Sequence, residues 1–277
     1  MKERILAQLD GNCPWGEHLH WFDTIDSTST RAKAMAVEGA PHGSILIAGQ
    51  QTGGRGRLGR SFSSPDRMGV YLSVILRPQC PAGQLMHLTC AVGVAMCKAI
   101  GQVCDLDVGI KWVNDLVWSK RKLGGILTEL SVNSKTGLVE YAVVGIGINC
   151  LQKQSDFPAE LQDMAISLEM AAQRAVDPAA VAAAMIRQLF QMDQQLFQSK
   201  ACLMAEYRRL CVTLGQMVRI VGDDTQGLAT DILEDGTLVI RMADEVKKTS
   251  APVKSVSAEC TVIFNLLLHF ANALVIL

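Results

Sequence analysis

The chain has 277 residues, 49% of them hydrophobic, and a formal net charge of -1 from 26 basic and 27 acidic side chains. Its length suits one large domain, or a large and a small one, around a sizeable core; the near-zero charge argues against a general electrostatic hold on DNA or RNA. The nine cysteines contain no C-x-x-C pair, so neither a zinc site nor a disulfide framework is indicated, and a reduced, cytoplasmic setting suits them.

M-K-E-R-I-L-A-Q-L opens the chain as a short charged helix with no signal-peptide apolar region behind it. H-L-H-W-F-D at 18 to 23 alternates as a strand does, and D-S-T-S-T-R-A-K sets hydroxyls ahead of a helix. Ser27 and Thr28 stand at that helix start, as plain caps or as partners of a polar or anionic ligand. Ser44 to Ala48 and Val70 to Leu76 read as buried strands.

Between them lies G-G-R-G-R-L-G-R, residues 53 to 60, three arginines among four glycines. Glycine frees the backbone and each guanidinium brings planar donors, so the segment is a loop suited to wrapping a phosphate or carboxylate. A solvated turn or a nucleic-acid patch is the alternative.

Leu85 to Val103 has helical spacing, with Cys90, Cys97 and Cys104 as small apolar residues on it, and a strand is expected at Ile110 to Trp112. In K-W-V-N-D-L, Lys111 offers a point charge and Trp112 a flat apolar face. Asn114-Asp115 is either an acceptor pair for a nucleophile or Mg²⁺, or an ordinary turn. Lys122 in R-K-L-G-G reads as a β-turn lysine, followed by Gly124 and Gly125, which let backbone approach a ligand. Leu123 to Val132 and Leu138 to Ile148 are further strands, and G-I-G-I-N either ends the second or sets Asn149 beside the same cleft. Residues 157 to 210 read as about three packing helices. A small all-β domain begins near 212, where short alternating runs replace helical periodicity.

These motifs, in this order, resemble the biotin protein ligase family, also called biotin–[acetyl-CoA-carboxylase] ligases, from about residue 18 to about residue 251. D-S-T, Q-T-G-G-R-G-R-L-G-R, K-W-V-N-D-L, R-K-L-G-G-I-L-T-E-L and G-I-G-I-N carry the likeness. It implies an α+β fold: a mixed β-sheet packed with helices, of the class II synthetase-like or biotin-lipoate ligase type, over residues 1–211. A C-terminal small β-barrel would occupy 212–255. It further implies that biotin and ATP give biotinyl-5′-AMP and pyrophosphate, and that biotin then passes to a lysine of a biotin carboxyl carrier protein. Arg57, Lys122, Asp115 and Lys111 would be the catalytic residues. Lys122 would stabilise the oxyanion, and Asp115 would accept from the incoming lysine. Ser27, Thr28, Ser29, Gln51, Arg55, Gly56, Arg57, Trp112, Asn114, Lys122, Gly125 and Asn149 would line the biotin and nucleotide site, with Asp115 and Asn149 on Mg²⁺.

Two departures stand out: Ser29 where the family often has Asn, and Val113 where it often has Pro. Regulatory members carry an N-terminal DNA-binding segment, for which 26 residues leave no room, so no specific DNA partner is expected. The end of the chain departs most. A back-translation of Pro252 to Phe264, shifted by two bases, reads G-E-V-S-V-R-G-M-Y-G-Y, a family-like terminus. The apolar tail, residues 256–277, is therefore read as a frameshift product after about Ala251, with membrane contact its alternative. A lipoate-type adenylating ligase and a biotin-sensing regulator are the rival functions, and a homodimer is left open.

Overall fold

The computed structural model describes residues 1–9, 11, 13–219, 226–242, 261–264 and 275–276. Seven segments pair as strands: β1 (Leu19–Ile25), β2 (Ser44–Gln51), β3 (Gly69–Leu76), β4 (Gly109–Lys111), β5 (Asp115–Trp118), β6 (Arg121–Val132) and β7 (Val139–Asn149). They form one sheet in the order β1-β2-β3-β7-β6-β5-β4. β1 and β2 run parallel, joined by helix α2 (Thr28–Val37), and every other neighbour is antiparallel. The expected mixed sheet is thus present.

Strand β3, G-V-Y-L-S-V-I-L, is buried at every position, as a strand covered on both faces must be. On one side lie α3 (Leu88–Cys104), α5 (Pro178–Gln195) and α6 (Lys200–Leu210), with α3 packed on α5, α6 and β6. α5 and α6 with the short α4 (Leu168–Ala172) supply the three helices read between 157 and 210; α1 (Lys2–Leu6) packs on α5. On the other side Ala32 and Ala36 of α2 seal Leu46, Ile75 and Val143. α2 covers only part of that face. The sheet beyond its N-terminus is open, and the cleft lies there.

Ala82–Cys104 is long and apolar enough to cross a membrane by composition, but it is mostly buried inside the fold. Cys90 and Cys97 lie in α3, where burial pushes their thiols well up, so they stay protonated apolar filler. None of the eight cysteines among the described residues is in a disulfide.

Two expectations fail locally. The strand read to Trp112 stops at Lys111, residues 112–114 form a turn, and Asp115 begins β5. Lys122 is not a turn lysine: Ser119 (φ 46°) and Lys120 (φ 66°) make the turn, and Lys122 already belongs to β6.

After α6, strands β8 (Met217–Arg219), β9 (Gln226–Ile232), β10 (Leu238–Met242), β11 (Thr261–Phe264) and β12 (Val275–Ile276) pair antiparallel in the order β11-β10-β9-β8-β12. This is a five-stranded sheet with β11 and β12 at its edges, and no pairing among the described residues closes it into the expected barrel. The proposed frameshift point near Ala251, and most of 256–277, lie outside the described residues.

Candidate active site

Sheet register explains why distant motifs meet. Lys111 pairs with Asp115, Asp115 with Gly125, and Gly125 with Gly147, giving one row across β4, β5, β6 and β7. Two residues along, on the same face, Leu127, Gly145 and Ser73 form a second row. The glycines keep the floor low. A Cβ at Gly147 would enter the Phe62 ring, and one at Gly145 would strike Ser29 Oγ. Over this floor opens a cleft of about 500 Å³.

The N-terminus of α2 forms one wall. Ser27 caps it, accepting from Thr30 N at 3.4 Å. Thr28 donates to Gln51 Oε1 from its backbone N at 2.8 Å and its hydroxyl at 3.0 Å, while Gln51 Nε2 donates to Ser64 Oγ at 2.9 Å. Ser73 Oγ donates to Thr28 Oγ1 at 2.9 Å, and Ser29 Oγ lies 3.1 Å from Ser73 Oγ. With the Ser73 proton committed to Thr28, the Ser29 hydroxyl donates to Ser73. Its remaining lone pairs face the cleft as acceptors. A ligand there gains by presenting an N–H.

The opposite wall is cationic. The Gly53–Arg60 loop folds as a hairpin, with Gly56 N donating to Arg60 O at 2.7 Å and Phe62 N to Gly54 O at 2.9 Å. Leu58 at its tip has φ 61° and is half exposed. Arg57 donates to Asn114 Oδ1 at 2.9 Å, and Asn114 Nδ2 donates to Ile126 O at 2.9 Å, so the loop is tied to the 112–114 turn. Burial draws the Arg57 guanidinium below its ordinary value while Asp115 opposes that shift; arginine stays charged regardless. Lys122 Nζ sits 2.6 Å from Asp115 Oδ1, with 41% and 29% of the two side chains exposed. Lys111 lines the cleft without an ion-pair partner among the described residues.

Ser27, Thr28, Ser29, Gln51, Arg55, Gly56, Arg57, Lys111, Trp112, Asn114, Asp115, Lys122 and Gly125 all line this cleft. Asn149 does not. Its amide donates to Ile166 O at 3.4 Å and its Oδ1 accepts from Gln152 at 3.3 Å, so it ties the end of β7 to the following segment. Asp115 and Asn149 also stand two strands apart, in β5 and β7. Among the described residues no group of three His, Cys, Asp or Glu is placed to hold a metal. Of the two expected metal ligands Asp115 lines the cleft, and a nucleotide-borne Mg²⁺ would need only one or two such carboxylates beside its phosphates; the fixed positive charge there comes from arginine and lysine. Sequence reading missed Ser64 and Ser73. Ser73 was findable as the one small polar side chain in an otherwise apolar and aromatic strand.

The pattern of the Biotin/lipoate A/B protein ligase family matches residues 21–149. The chain is 32% identical over 240 residues to the bifunctional ligase/repressor BirA of Bacillus subtilis (strain 168), covering 84% of this chain and 72% of that one. It is 31% identical over 260 residues to the biotin–[acetyl-CoA-carboxylase] ligase of Mycobacterium tuberculosis (strain H37Rv), covering 91% and 94%. Its fold superposes on the biotin protein ligase of Aquifex aeolicus in complex with biotin and ATP, at TM-score 0.69 and 25% identity, covering 90% of this chain and 99% of that one. By this likeness the chain belongs to the biotin/lipoate protein ligase family.

Proposed function

We propose that the chain is a biotin protein ligase that activates biotin with ATP and passes it to a lysine of a carrier protein in the cytoplasm. In the first step a biotin carboxylate oxygen bonds to the α-phosphorus and the bond to pyrophosphate breaks. Two anions must meet for this, and their repulsion is offset by Arg55, Arg57, Lys111 and Lys122 around the cleft. In the second step the carrier amine attacks the acyl carbonyl, AMP leaves, and an amide forms. Lys122 is placed to stabilise the oxyanion, and Asp115, held against it, to take the amine's proton.

One observation favours biotin over lipoate. The hydroxyl chain ends in a free acceptor at Ser29, which matches a ureido N–H, whereas a dithiolane ring has no N–H and would leave that acceptor unsatisfied. The carrier is proposed as a biotin carboxyl carrier protein, in line with the names of the curated relatives. Pyrophosphate release is the deciding measurement. Release with biotin and not with lipoate is expected, and the reverse order would move the chain to the lipoate branch.

A further inference from the structure

Glu129 belongs to β6, in register with Val143 of β7. Its Oε1 lies 2.8 Å from Lys33 Nζ on α2 and 3.6 Å from an Arg55 guanidinium nitrogen on the glycine-arginine loop. Oε2 is buried with no hydrogen-bond partner among the described residues. One carboxylate, 26% exposed, thus stands between a helix and the loop that covers the cleft.

The loop touches the sheet through two arginines. Arg57 reaches the 112–114 turn by way of Asn114, and Arg55 reaches β6 by way of Glu129. Arg57 faces the reacting anions and must exchange its Asn114 contact for them as they arrive. Arg55 also lines the cleft but has a second partner in Glu129 at 3.6 Å, and that pairing holds the loop down while Arg57 changes partner. With the Arg55 side chain 46% and Glu129 26% exposed, solvent screens the pair in part, and its worth is of the order of a surface ion pair, up to about 1 kcal/mol.

We propose that Glu129 is a positioning residue that latches the Gly53–Arg60 loop over the cleft through Arg55, its contact with Lys33 being a separate brace between α2 and β6. What the latch protects, a water-labile adenylate, rests on the ligase reading above; the latch itself does not.

The test separates latch from brace by charge reversal. Glu129→Gln removes the carboxylate, the double variant Lys33→Glu/Glu129→Lys restores the α2–β6 pair but sets a lysine against Arg55, and Lys33→Met keeps Glu129 facing Arg55 alone. Limited trypsinolysis of the full chain is followed by mass at Arg55, Arg57 and Arg60, with biotinyl-adenylate escape measured in parallel. Cleavage in the loop is expected to rise about fivefold in Glu129→Gln and in the double variant, with Lys33→Met near wild type. Wild-type cleavage in the double variant, or loosening in Lys33→Met equal to that in Glu129→Gln, overturns the latch. A wild-type protein that forms no biotinyl-adenylate defeats the ligase reading, and loop cleavage still decides the latch.

Discussion

Trp112 Nε1 donates to the Gly236 carbonyl at 2.9 Å, joining the cleft wall to the turn between β9 and β10. The neighbouring backbone is held the same way: Trp112 N donates to Thr213 Oγ1 at 2.9 Å and the buried Tyr207 hydroxyl to Val113 O at 3.1 Å. The 112–114 turn that carries Asn114 toward Arg57 is therefore braced from behind by α6 and by residues that follow it. Trp112→Phe keeps an aromatic face on the cleft but loses the bond to Gly236. We expect it to destabilise the fold by about 1 kcal/mol and to lower kcat/KM for adenylation. Calorimetry and pyrophosphate release measure the two effects, and unchanged values in both would show that the brace is idle.

The 2.6 Å pair of Lys122 and Asp115 gives different outcomes for its two members. Lys122→Ala removes charge from the acyl oxygen in both steps and is expected to slow each by roughly a hundredfold or more. Asp115→Asn keeps the shape and an amide oxygen for Lys122, which stays charged, but removes the proton acceptor together with the negative charge of the pair. Transfer to the carrier should therefore fall by roughly a hundredfold while adenylation changes less. Single-turnover measurements with preformed adenylate separate the steps, and equal losses in both would remove the proposed role of Asp115.

Much of this cleft was legible in the sequence because its chemistry is local. Three arginines among four glycines announce an anion loop at 53–60, and Ser27 announces a cap. What sequence could not give was register. Lys111, Asp115, Gly125 and Gly147 share a row only because four strands pair with those offsets, and pairing is a non-local choice. β5 went unread for a related reason: Trp112, Val113 and Asn114 turn the chain with no Gly or Pro to mark it. Asn149 was assigned to the cleft by proximity to Gly147 in sequence, yet it lies past the open floor, bonded to Ile166 O and Gln152. Glu129 sits in an unremarkable L-T-E-L run, and only the third dimension brings Lys33 and Arg55 to it.

Gly145 tests the hydroxyl chain. An added Cβ would collide with Ser29 Oγ and come within 3.6 Å of Ser73 Oγ. To make room Ser29 must rotate, which breaks its bond to Ser73 and withdraws the acceptor from the cleft. Gly145→Ala should weaken biotin binding by about tenfold or more, the cost of an unsatisfied buried polar group being ~1–3 kcal/mol, with little change in KM for ATP. Calorimetric titration with each substrate decides it, and equal weakening of both would mean that the floor as a whole has shifted.

Acid sensitivity should trace in part to His87, which is fully buried at the start of α3. Its Nε2 meets the Leu196 carbonyl at 2.9 Å, while Nδ1 has no partner among the described residues. Burial holds the imidazole below its ordinary 6.5; the Leu196 carbonyl, Glu234 and the Gln84 backbone pull it back up, and Lys200 adds to the lowering. Below about pH 6.5 the unfolded chain binds a proton there that the folded chain refuses. Stability is then full above that pH and falls as pH drops toward the folded value. His20, also lowered by burial, acts in the same direction. His87→Gln retains a donor for Leu196 O and does not titrate. Between about pH 7 and about pH 5 its Tm should fall less than that of the wild type. An equal fall would show that His87 does not carry the acid loss.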